Sequence, residues 1–154
     1  MGVPTGPTEL MDEIARELGG KTGFAYAFVN PVIDSTQTFI GLHQPPANCG
    51  FVTVGRTMSR QHGWCPEVIR RKKGLPLPDV RVHPRFAGNH VVDAVGIRSY
   101  FGVPLLDGQS GVAWGTVCVI DPEPRPLSDA RRLLDLVKEA GAEVLNTFTG
   151  AHPH

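Results

Sequence analysis

The chain lacks the features that mark several large classes of protein. It has only three cysteines among 154 residues, an odd number without Cys-x-x-Cys spacing, which argues against a disulfide framework. No apolar run approaches the roughly 18 residues that span a bilayer. The first residues have neither the charged start nor the apolar stretch of a secretory signal peptide. These absences predict a cytoplasmic protein that does not enter a membrane.

An excess of basic charge is also missing. Fifteen Lys and Arg residues balance fifteen Asp and Glu residues, whereas nucleic-acid binders usually carry a basic excess on one face. The one basic cluster, residues 70–73, precedes Gly74. Such a cluster is typical of the last turn of a helix, where cations complement the helix dipole and glycine caps the end. We therefore expect no nucleic-acid partner.

Recognisable catalytic motifs are absent as well. The sequence contains no phosphate-binding Walker loop, no Gly-x-Ser-x-Gly elbow and no dinucleotide fingerprint. Six histidines are present, but no pair has i, i+4 spacing on a convincing helix. We expect no metal and no cofactor. Haem ligation through His62, His83 or His90 stays open as an alternative, although such histidines more often lie on a surface or in a hydrogen bond.

What remains is the composition of an ordinary globular domain. The chain is 41% hydrophobic and 19% charged, values that suit a packed core. Its 154 residues fit one domain. We predict a single domain over residues 1–154, with flexible ends at 1–7 and 150–154.

The N-terminal half predicts one helix and a hairpin. Thr8 can cap a helix whose apolar stripe is Leu10, Ile14 and Leu18 and whose end is the glycine pair 19–20. Two β-rich segments follow, residues 22–29 and 36–42. The turn-like segment 30–35 connects them, which predicts a hairpin.

The remaining segments predict helices alternating with strands. Residues 57–73 favour a helix with Pro66 in its first turn or at a break, and 75–80 favour an edge strand because of their prolines. A turn and a short helical piece reach residue 95. Residues 100–106 and 112–120 form the clearest strand pair. Ser128 then caps a long helix with an apolar stripe at Leu133, Val137, Ala140, Val144 and Phe148. This order predicts an α/β (α+β) fold, an antiparallel sheet with helices on both faces.

Four sequence blocks resemble the GAF domain family. They are residues 65–68 (CPEV) with 74–79 (GLPLPD), 83–89 (HPRFAGN), 97–105 (IRSYFGVPL), and 114–121 (WGTVCVID) with 126–128 (PLS). The resemblance implies a GAF/PAS-like central antiparallel sheet with the first and last helices packed together on one face. It also implies a ligand pocket on the other face, and it fixes no ligand because one fold serves many functions.

The candidate pocket residues come from these middle segments. Trp64, Phe86 and Tyr100 can form apolar walls, and Asp79, Asn89 and Arg98 can supply the few polar groups that orient a ligand. Cys65 is assigned to the same pocket. In the alternative interpretation, Asp79 and Arg98 only pair with each other or cap a helix, and the aromatic residues fill the core. Residues 83–98 are predicted to be a mobile lid.

An enzymatic alternative follows from the same resemblance. Free-methionine-(R)-sulfoxide reductases are compact GAF domains that use a thiol relay. The segment that carries the family's nucleophile, here residues 82–89, has no cysteine, and Cys65 lies near the helix that carries a resolving thiol. A covalent bilin would likewise need a cysteine beside His90. Cys65 and Cys118 are therefore expected to be small buried hydrophobes. The sequence favours a sensory, signal-transducing domain without catalysis.

The terminal helices predict self-association. Leu134, Leu136 and Leu145 widen the apolar face of the last helix beyond what one sheet requires, and Gly141 and Ala142 would let another backbone approach. Part of this surplus can meet the first helix. We predict a homodimer through the terminal helices, with an unidentified small-molecule ligand and a possible signalling protein as partners. A ligand-free dimerisation module is the third alternative.

Overall fold

The computed structural model describes residues 8–33, 36–46, 57–59, 65–82 and 96–149. Within these ranges the helices are α1 (Glu9–Thr22), α2 (Cys65–Arg71) and α3 (Ala130–Thr149). The strands are β1 (Tyr26–Ile33), β2 (Thr36–Thr38), β3 (Gly41–His43), β4 (Thr57–Ser59), β5 (Leu75–Leu77), β6 (Ser99–Leu106) and β7 (Ala113–Asp121). Short 3-10 turns occupy Val80–Val82 and Leu127–Asp129. The chain ends predicted to be flexible lie outside the described residues.

The strands form one antiparallel sheet. Its order is β4-β2-β1-β7-β6-β5, and β3 also pairs with β1. The longest pairings are central: β1 pairs with β7 from Tyr26↔Ile120 to Pro31↔Gly115, and β6 pairs with β7 along its whole length. The predicted antiparallel α/β fold is therefore confirmed, including the strand pair at residues 100–106 and 112–120.

Side chains alternate between the two faces of the central strands, because successive residues of a strand point in opposite directions. The cluster between the sheet and the helices α1 and α3 is called here the helix-face core: Met11, Ile14, Ala15, Leu18, Phe24, Ala27, Val29, Ile40, Phe101, Val103, Leu105, Val117, Val119, Leu133, Val137, Ala140 and Val144. The cluster on the opposite side, which includes one residue of α2, is called the second-face core: Tyr26, Phe28, Phe39, Val68, Leu75, Leu77, Val80, Ile97, Tyr100, Cys118 and Ile120.

Helix α1 begins as predicted and ends later. Thr8 Oγ1 accepts a hydrogen bond from Met11 N at 3.1 Å, which caps the helix. The predicted end at residues 19–20 is wrong, since the helix continues to Thr22 and Gly23 closes it at φ +76°. Gly19 serves close packing instead, because a Cβ there would collide with the His43 imidazole. Leu10 is 48% exposed and Met11 takes its place in the core.

The predicted hairpin is confirmed, but its connection is shorter than expected. Strand β1 continues through Asn30 and Pro31, which were predicted to be in the turn. Pro31 lies opposite Gly115, and a Cβ on that glycine would lie 2.8 Å from Pro31 Cα. The missing side chain makes room for proline in an inner strand. The returning strand is divided into β2 and β3, both paired with β1.

The predicted helix over residues 57–73 is wrong in its first part. Residues 57–59 form β4, which pairs with β2, and only Cys65–Arg71 are helical. Pro66 occupies the first turn, where a missing N–H costs nothing. Lys72, not Gly74, takes the left-handed conformation after the helix, at φ 55°. Strand β5 lies at the sheet edge as predicted, over Leu75–Leu77.

Helix α3 differs from the prediction at its start. Ser128 lies in the 3-10 turn and does not cap the helix, because the turn tightens with an Asp129 N to Pro126 O hydrogen bond of 3.0 Å. The predicted stripe is confirmed at Leu133, Val137, Ala140 and Val144, and the side chain of Phe148 lies outside the described residues.

Two residues that were expected to face a second chain turn inward. A Cβ on Gly74 would lie 3.2 Å from Leu134 Cδ1, so Leu134 packs within its own chain. Gly141 is buried and faces Val103, with 3.2 Å between its ideal Cβ and Val103 Cγ2. Leu136 and Leu145 are half-buried beside the helix-face core. None of the helices in the described ranges is long and apolar enough to cross a membrane.

Candidate functional site

The second face of the sheet has an aromatic floor. Tyr26 and Phe28 are stacked neighbours on β1, with ring centroids 6.4 Å apart and an interplanar angle of 13°. Phe39 lies against Phe28 at 4.5 Å between centroids. Tyr100 and Cys118 continue the floor on the next strands. These five side chains are apolar and at most 4% exposed, and small-molecule sites are lined mainly by apolar and aromatic groups of this kind.

Tyr100 lies along its own strand over Gly102. A Cβ added to Gly102 would lie 2.6 Å from Tyr100 Cζ and would collide with the Tyr100 hydroxyl oxygen. Residues i and i+2 of a strand share a face, so only glycine at position 102 leaves room for the ring. Tyr100 is 1% exposed in this position.

An ion pair borders this floor at the ends of β5 and β6. Arg98 Nη2 donates to Asp79 Oδ2 at 2.8 Å and Arg98 Nε donates to Asp79 Oδ1 at 3.2 Å. The side chains of Arg98 and Asp79 are 28% and 24% exposed. Their chain neighbours Ile97 and Val80 belong to the second-face core, and Val80 N donates to Arg98 O at 2.8 Å. The pair therefore presents both charges beside the aromatic floor.

The two-bond geometry fixes the charge state of this pair. Hydrogen bonding to Asp79 raises the pKa of the Arg98 guanidinium, and burial opposes this rise only in part. A planar guanidinium held by two parallel hydrogen bonds is also fixed in orientation. Arg98 is thus a permanently charged, oriented donor at the edge of the second face.

A second polar group, which the sequence analysis missed, joins this edge to α1. The Asp121 carboxylate ends β7 and accepts hydrogen bonds from Ala25 N at 2.7 Å and Glu123 N at 2.9 Å. Arg125 Nη1 donates to it at 3.2 Å. The Asp121 carbonyl accepts Arg98 N at 2.8 Å. Asp121 is only 5% exposed, so these contacts replace its hydration.

Asp121 and Arg125 together are called here the Asp121–Arg125 junction. Arg125 makes further contacts on two sides of it. Its Nη2 donates to Gly23 O at 3.0 Å, at the end of α1, and its guanidinium lies 4.2 Å above the Phe24 ring. Its backbone N donates to Pro78 O at 2.8 Å, beside Asp79. An acid that ends an apolar strand, with an arginine four residues later, is the sequence signal that indicates such a junction.

The predicted site residues fall into two groups. The structure brings Asp79 and Arg98 together, as the alternative interpretation expected, and it places Tyr100 in the adjacent floor. Trp64, Phe86 and Asn89 lie outside the described residues, and so do the side chain of Cys65 and most of the predicted lid. A ligand-binding role for these seven residues stays a prediction. Tyr26, Phe28 and Phe39 belong to the floor and were not predicted.

Of the cysteines, the structure places Cys118 in the second-face core at 2% exposure. This agrees with its expected role as a small buried hydrophobe. In the ranges that the structure describes, no three His, Cys, Asp or Glu side chains are grouped as metal ligands.

Several solved structures share the fold. The nlh2 GAF domain of A. aeolicus in an inactive state is 16% identical, with a TM-score of 0.66 over 94% of this chain and 85% of that chain. The phycocyanobilin-bound GAF domain of a cyanobacterial phytochrome is 13% identical, with a TM-score of 0.65 over 95% and 87%. Free methionine-R-sulfoxide reductase of Neisseria meningitidis, in complex with its substrate, is 18% identical, with a TM-score of 0.60 over 87% and 78%.

Among proteins of known activity, a cyclic di-GMP phosphodiesterase of Pseudomonas aeruginosa is similar over one segment. It is 37% identical over 76 residues, which are 48% of this chain and 13% of that protein. The chain therefore spans a small part of that relative's length. The GAF domain family profile matches residues 6–144, in agreement with the antiparallel sheet and the helix pair. The chain belongs to the GAF domain family.

Proposed function

We propose that this GAF domain is a sensory and regulatory module that binds a small molecule on the second face of its sheet. The observation that carries the proposal is the juxtaposition of an aromatic floor with the oriented Asp79–Arg98 pair. A mostly apolar surface with a few fixed polar groups is the general composition of small-molecule sites.

The fold supports this proposal. Solved relatives that share it include a GAF domain with bound phycocyanobilin and a reductase in complex with its substrate. Both show that the fold can hold a small molecule, and neither identifies the ligand of this chain. The Asp121–Arg125 junction supplies a direct connection from the Arg98 backbone to the end of α1. A change at the site would thus reach the terminal helices through hydrogen bonds.

The second candidate function is reduction of free methionine sulfoxide. It is favoured by the similarity to two free methionine-R-sulfoxide reductases, of Neisseria meningitidis and Thermoplasma acidophilum. It is disfavoured by the sequence of residues 82–89, which has no cysteine to act as the nucleophile. A thiolate must attack the sulfoxide and a second thiol must then close the disulfide. Thioredoxin-coupled turnover that is abolished by Cys65→Ser would establish the enzyme and overturn our preference.

A thermal-shift screen with small metabolites tests the sensor proposal. A ligand that binds only the folded state at about 100 times its Kd stabilises that state by about 2.7 kcal/mol, and the melting temperature then rises by several degrees. The screen compares the wild type with Arg98→Gln. The matched control is Arg132→Gln, which breaks an exposed ion pair of 3.8 Å with Asp129 on α3's side of the molecule.

We expect compounds that stabilise the wild type and Arg132→Gln but not Arg98→Gln. Equal stabilisation of all three proteins would place the binding site elsewhere and refute the proposed site. Dimerisation without any ligand is the third alternative, and it predicts that no compound changes the melting temperature.

A further inference from the structure

A short and stiff segment follows β7. Residues 121–125 have the sequence Asp-Pro-Glu-Pro-Arg, and a third proline follows at position 126. Each proline ring fixes φ at about −65°, and Pro126 is extended at φ −62° and ψ 142°. Chains rich in proline are extended and semi-rigid, so a movement at one end of segment 121–125 reaches its other end.

Segment 121–125 holds the start of the strand that follows Arg98. The Asp121 carbonyl accepts a hydrogen bond from Arg98 N at 2.8 Å. The Glu123 carbonyl accepts one from the hydroxyl of Ser99, the next residue, at 2.7 Å. Ser99 is fully buried, so this contact replaces the hydration that its hydroxyl has lost. Two hydrogen bonds therefore fix the backbone around Arg98 against segment 121–125.

The same segment also holds Asp79. Arg125 N donates to the carbonyl of Pro78, the neighbour of Asp79, at 2.8 Å. Strand β5 precedes Pro78, has only three residues, and pairs with β6 alone among the described strands. Arg125 therefore supplies an attachment for the Asp79 backbone that is independent of the pairing of β5.

The Arg125 side chain fastens the segment in place. Its Nη1 donates to Asp121 Oδ2 and to the Glu123 carbonyl, each at 3.2 Å. Its Nη2 donates to Gly23 O at 3.0 Å, and its Cζ lies 4.2 Å from the centroid of the Phe24 ring. The side chains of Arg125 and Asp121 are only 18% and 8% exposed. One planar group with several fixed donors thus ties the segment to the corner between α1 and β1.

The ion pair of Asp79 and Arg98 tolerates little displacement of its two backbones. Its hydrogen bonds are 2.8 and 3.2 Å long, and N–H···O bonds usually lie between about 2.7 and 3.2 Å. A shift of about 0.5 Å would lengthen the longer bond beyond that range, and recognition sites need their groups held within about this distance. The orientation of Arg98 therefore depends on what holds the two backbones.

We propose that Arg125 is a positioning residue for the Asp79–Arg98 pair, and that segment 121–125 is the rigid brace through which it acts. In the part of the chain that the structure describes, the Arg125 side chain forms hydrogen bonds with Asp121, Glu123 and Gly23 and with neither member of the pair. Without its guanidinium the brace is released, and the Arg98 guanidinium loses its fixed direction. The importance of this role for ligand recognition rests on the proposed function, whereas the geometry of the pair does not.

Proton exchange at the Arg98 Nε–H group tests this role without any ligand. Solution NMR of the isotope-labelled full chain reports arginine Nε–H groups and backbone amides in the same spectra. The second reporter is Val80 N–H, which donates to Arg98 O at 2.8 Å. In Arg125→Gln both groups should exchange at least about tenfold faster than in the wild type, because local opening of the pair sets these rates.

Two control variants separate positioning from a general loss of charge or stability. Arg132→Gln removes the same type of side chain from an exposed ion pair with Asp129 on α3. Val137→Ala lowers stability from the helix-face core, where Val137 is fully buried, and leaves segment 121–125 unchanged. In both controls the exchange of Arg98 Nε–H should stay within about twofold of the wild-type rate, and far-UV circular dichroism confirms that each variant is folded.

If Arg125→Gln does not fold, Arg125→Lys takes its place. Lysine keeps a cation beside Asp121 but lacks the planar fork that holds Asp121 and Gly23 together, so the same faster exchange is expected. A wild-type exchange rate at Arg98 Nε–H in the folded variant overturns the proposal. So does equal acceleration in Val137→Ala, because the rate would then report global stability.

The outcomes of this experiment and of the ligand screen are independent. A second face that binds no compound would refute the proposed function and would leave the exchange result unchanged. Unchanged exchange in Arg125→Gln would refute the brace and would leave the comparison of wild type with Arg98→Gln in the screen intact.

Discussion

The two faces of the sheet use the same strands and have different chemistry. The helix-face core is mostly aliphatic, and its one aromatic pair is Phe24 with Phe101, edge to face at 5.7 Å. The second-face core contains four aromatic residues and Cys118. The first is closed by two helices of 14 and 20 residues, whereas the described helix on the second face has seven. Alternation along β6 and β7 thus gives the sheet one mostly aliphatic face and one aromatic face.

The polar groups sharpen this contrast. The oriented Asp79–Arg98 pair lies beside the second face. Tyr100 and Phe101, adjacent residues of β6, are both fully buried on opposite faces. Substitutions at such neighbours can therefore test the two faces separately.

The largest expected effect comes from Phe101→Ala in the helix-face core. Removing a fully buried aromatic side chain costs about 3–5 kcal/mol, since the space it leaves beside Phe24 cannot close completely. Urea denaturation monitored by circular dichroism measures this loss. Phe101→Leu, which keeps most of the volume, serves as the control and should lose less than half as much. A loss below about 1 kcal/mol for the alanine variant would show that this core is loosely packed.

A smaller loss is expected at the junction. Asp121→Ala removes the carboxylate that pairs with Arg125 and accepts two backbone N–H groups, and we expect a cost of about 2–3 kcal/mol. Arg125→Gln should cost less, and the double variant should lose less than the sum of the two, because both act on one ion pair. Strict additivity in urea denaturation would contradict the coupling that the distances indicate.

Gly102→Ala is expected to destabilise the second face by about 1–3 kcal/mol. The new methyl group would collide with Tyr100, which must leave its position along the strand. Gly20→Ala is the control. No atom outside its helix lies within 4 Å of a Cβ at position 20, so alanine in the helix should stabilise the protein by up to about 1 kcal/mol. Equal changes in the free energy of unfolding for the two substitutions would contradict the close contact between Gly102 and Tyr100.

The smallest effect concerns pH and His43, whose imidazole packs on Gly19 of α1. Burial, with a smaller contribution from the charge of Arg16, lowers the pKa of His43 below its ordinary value of 6.5. The folded state therefore binds fewer protons than the unfolded state just below that value. The contribution of His43 to stability is complete above pH 6.5 and decreases as the pH falls towards the lower folded-state pKa. Urea denaturation between about pH 5 and 8 should show this slope in the wild type and a flatter one in His43→Gln, whereas equal slopes would contradict it.

Strong local patterns explain which parts of the fold could be predicted. The apolar run of β7 and the stripe of leucines and valines in α3 are long patterns. The type of each element and its buried side were therefore predicted correctly. Thr8 was identified because capping is a local interaction. The predicted end of α1 was wrong because a pair of glycines usually indicates the end of a helix. The sequence does not show that Gly19 packs against His43. Residues 57–59 were assigned to a helix because their strand character depends on pairing with β2.

The candidate site was predictable only in its residue types. Asp79 and Arg98 were identified as polar groups near apolar ones, but their pairing joins positions 19 residues apart. Asp121 was missed as a polar group of the site, because Ala25, 96 residues away, supplies one of its donors. Tyr26 stacks on Phe28 because both side chains lie on the second face, which is the side of the sheet where α2 packs. Long-range contacts of this kind leave no local pattern.

Native mass spectrometry tests most directly the claim that the second face binds a small molecule. The measurement compares freshly purified wild type, Phe101→Leu and Arg98→Gln, with and without the compounds that raise the melting temperature. Our account predicts an added mass of one small molecule per chain in the wild type and in Phe101→Leu, and its loss in Arg98→Gln. Bare chain mass in all three proteins, or an added mass that Arg98→Gln retains in full, would contradict it.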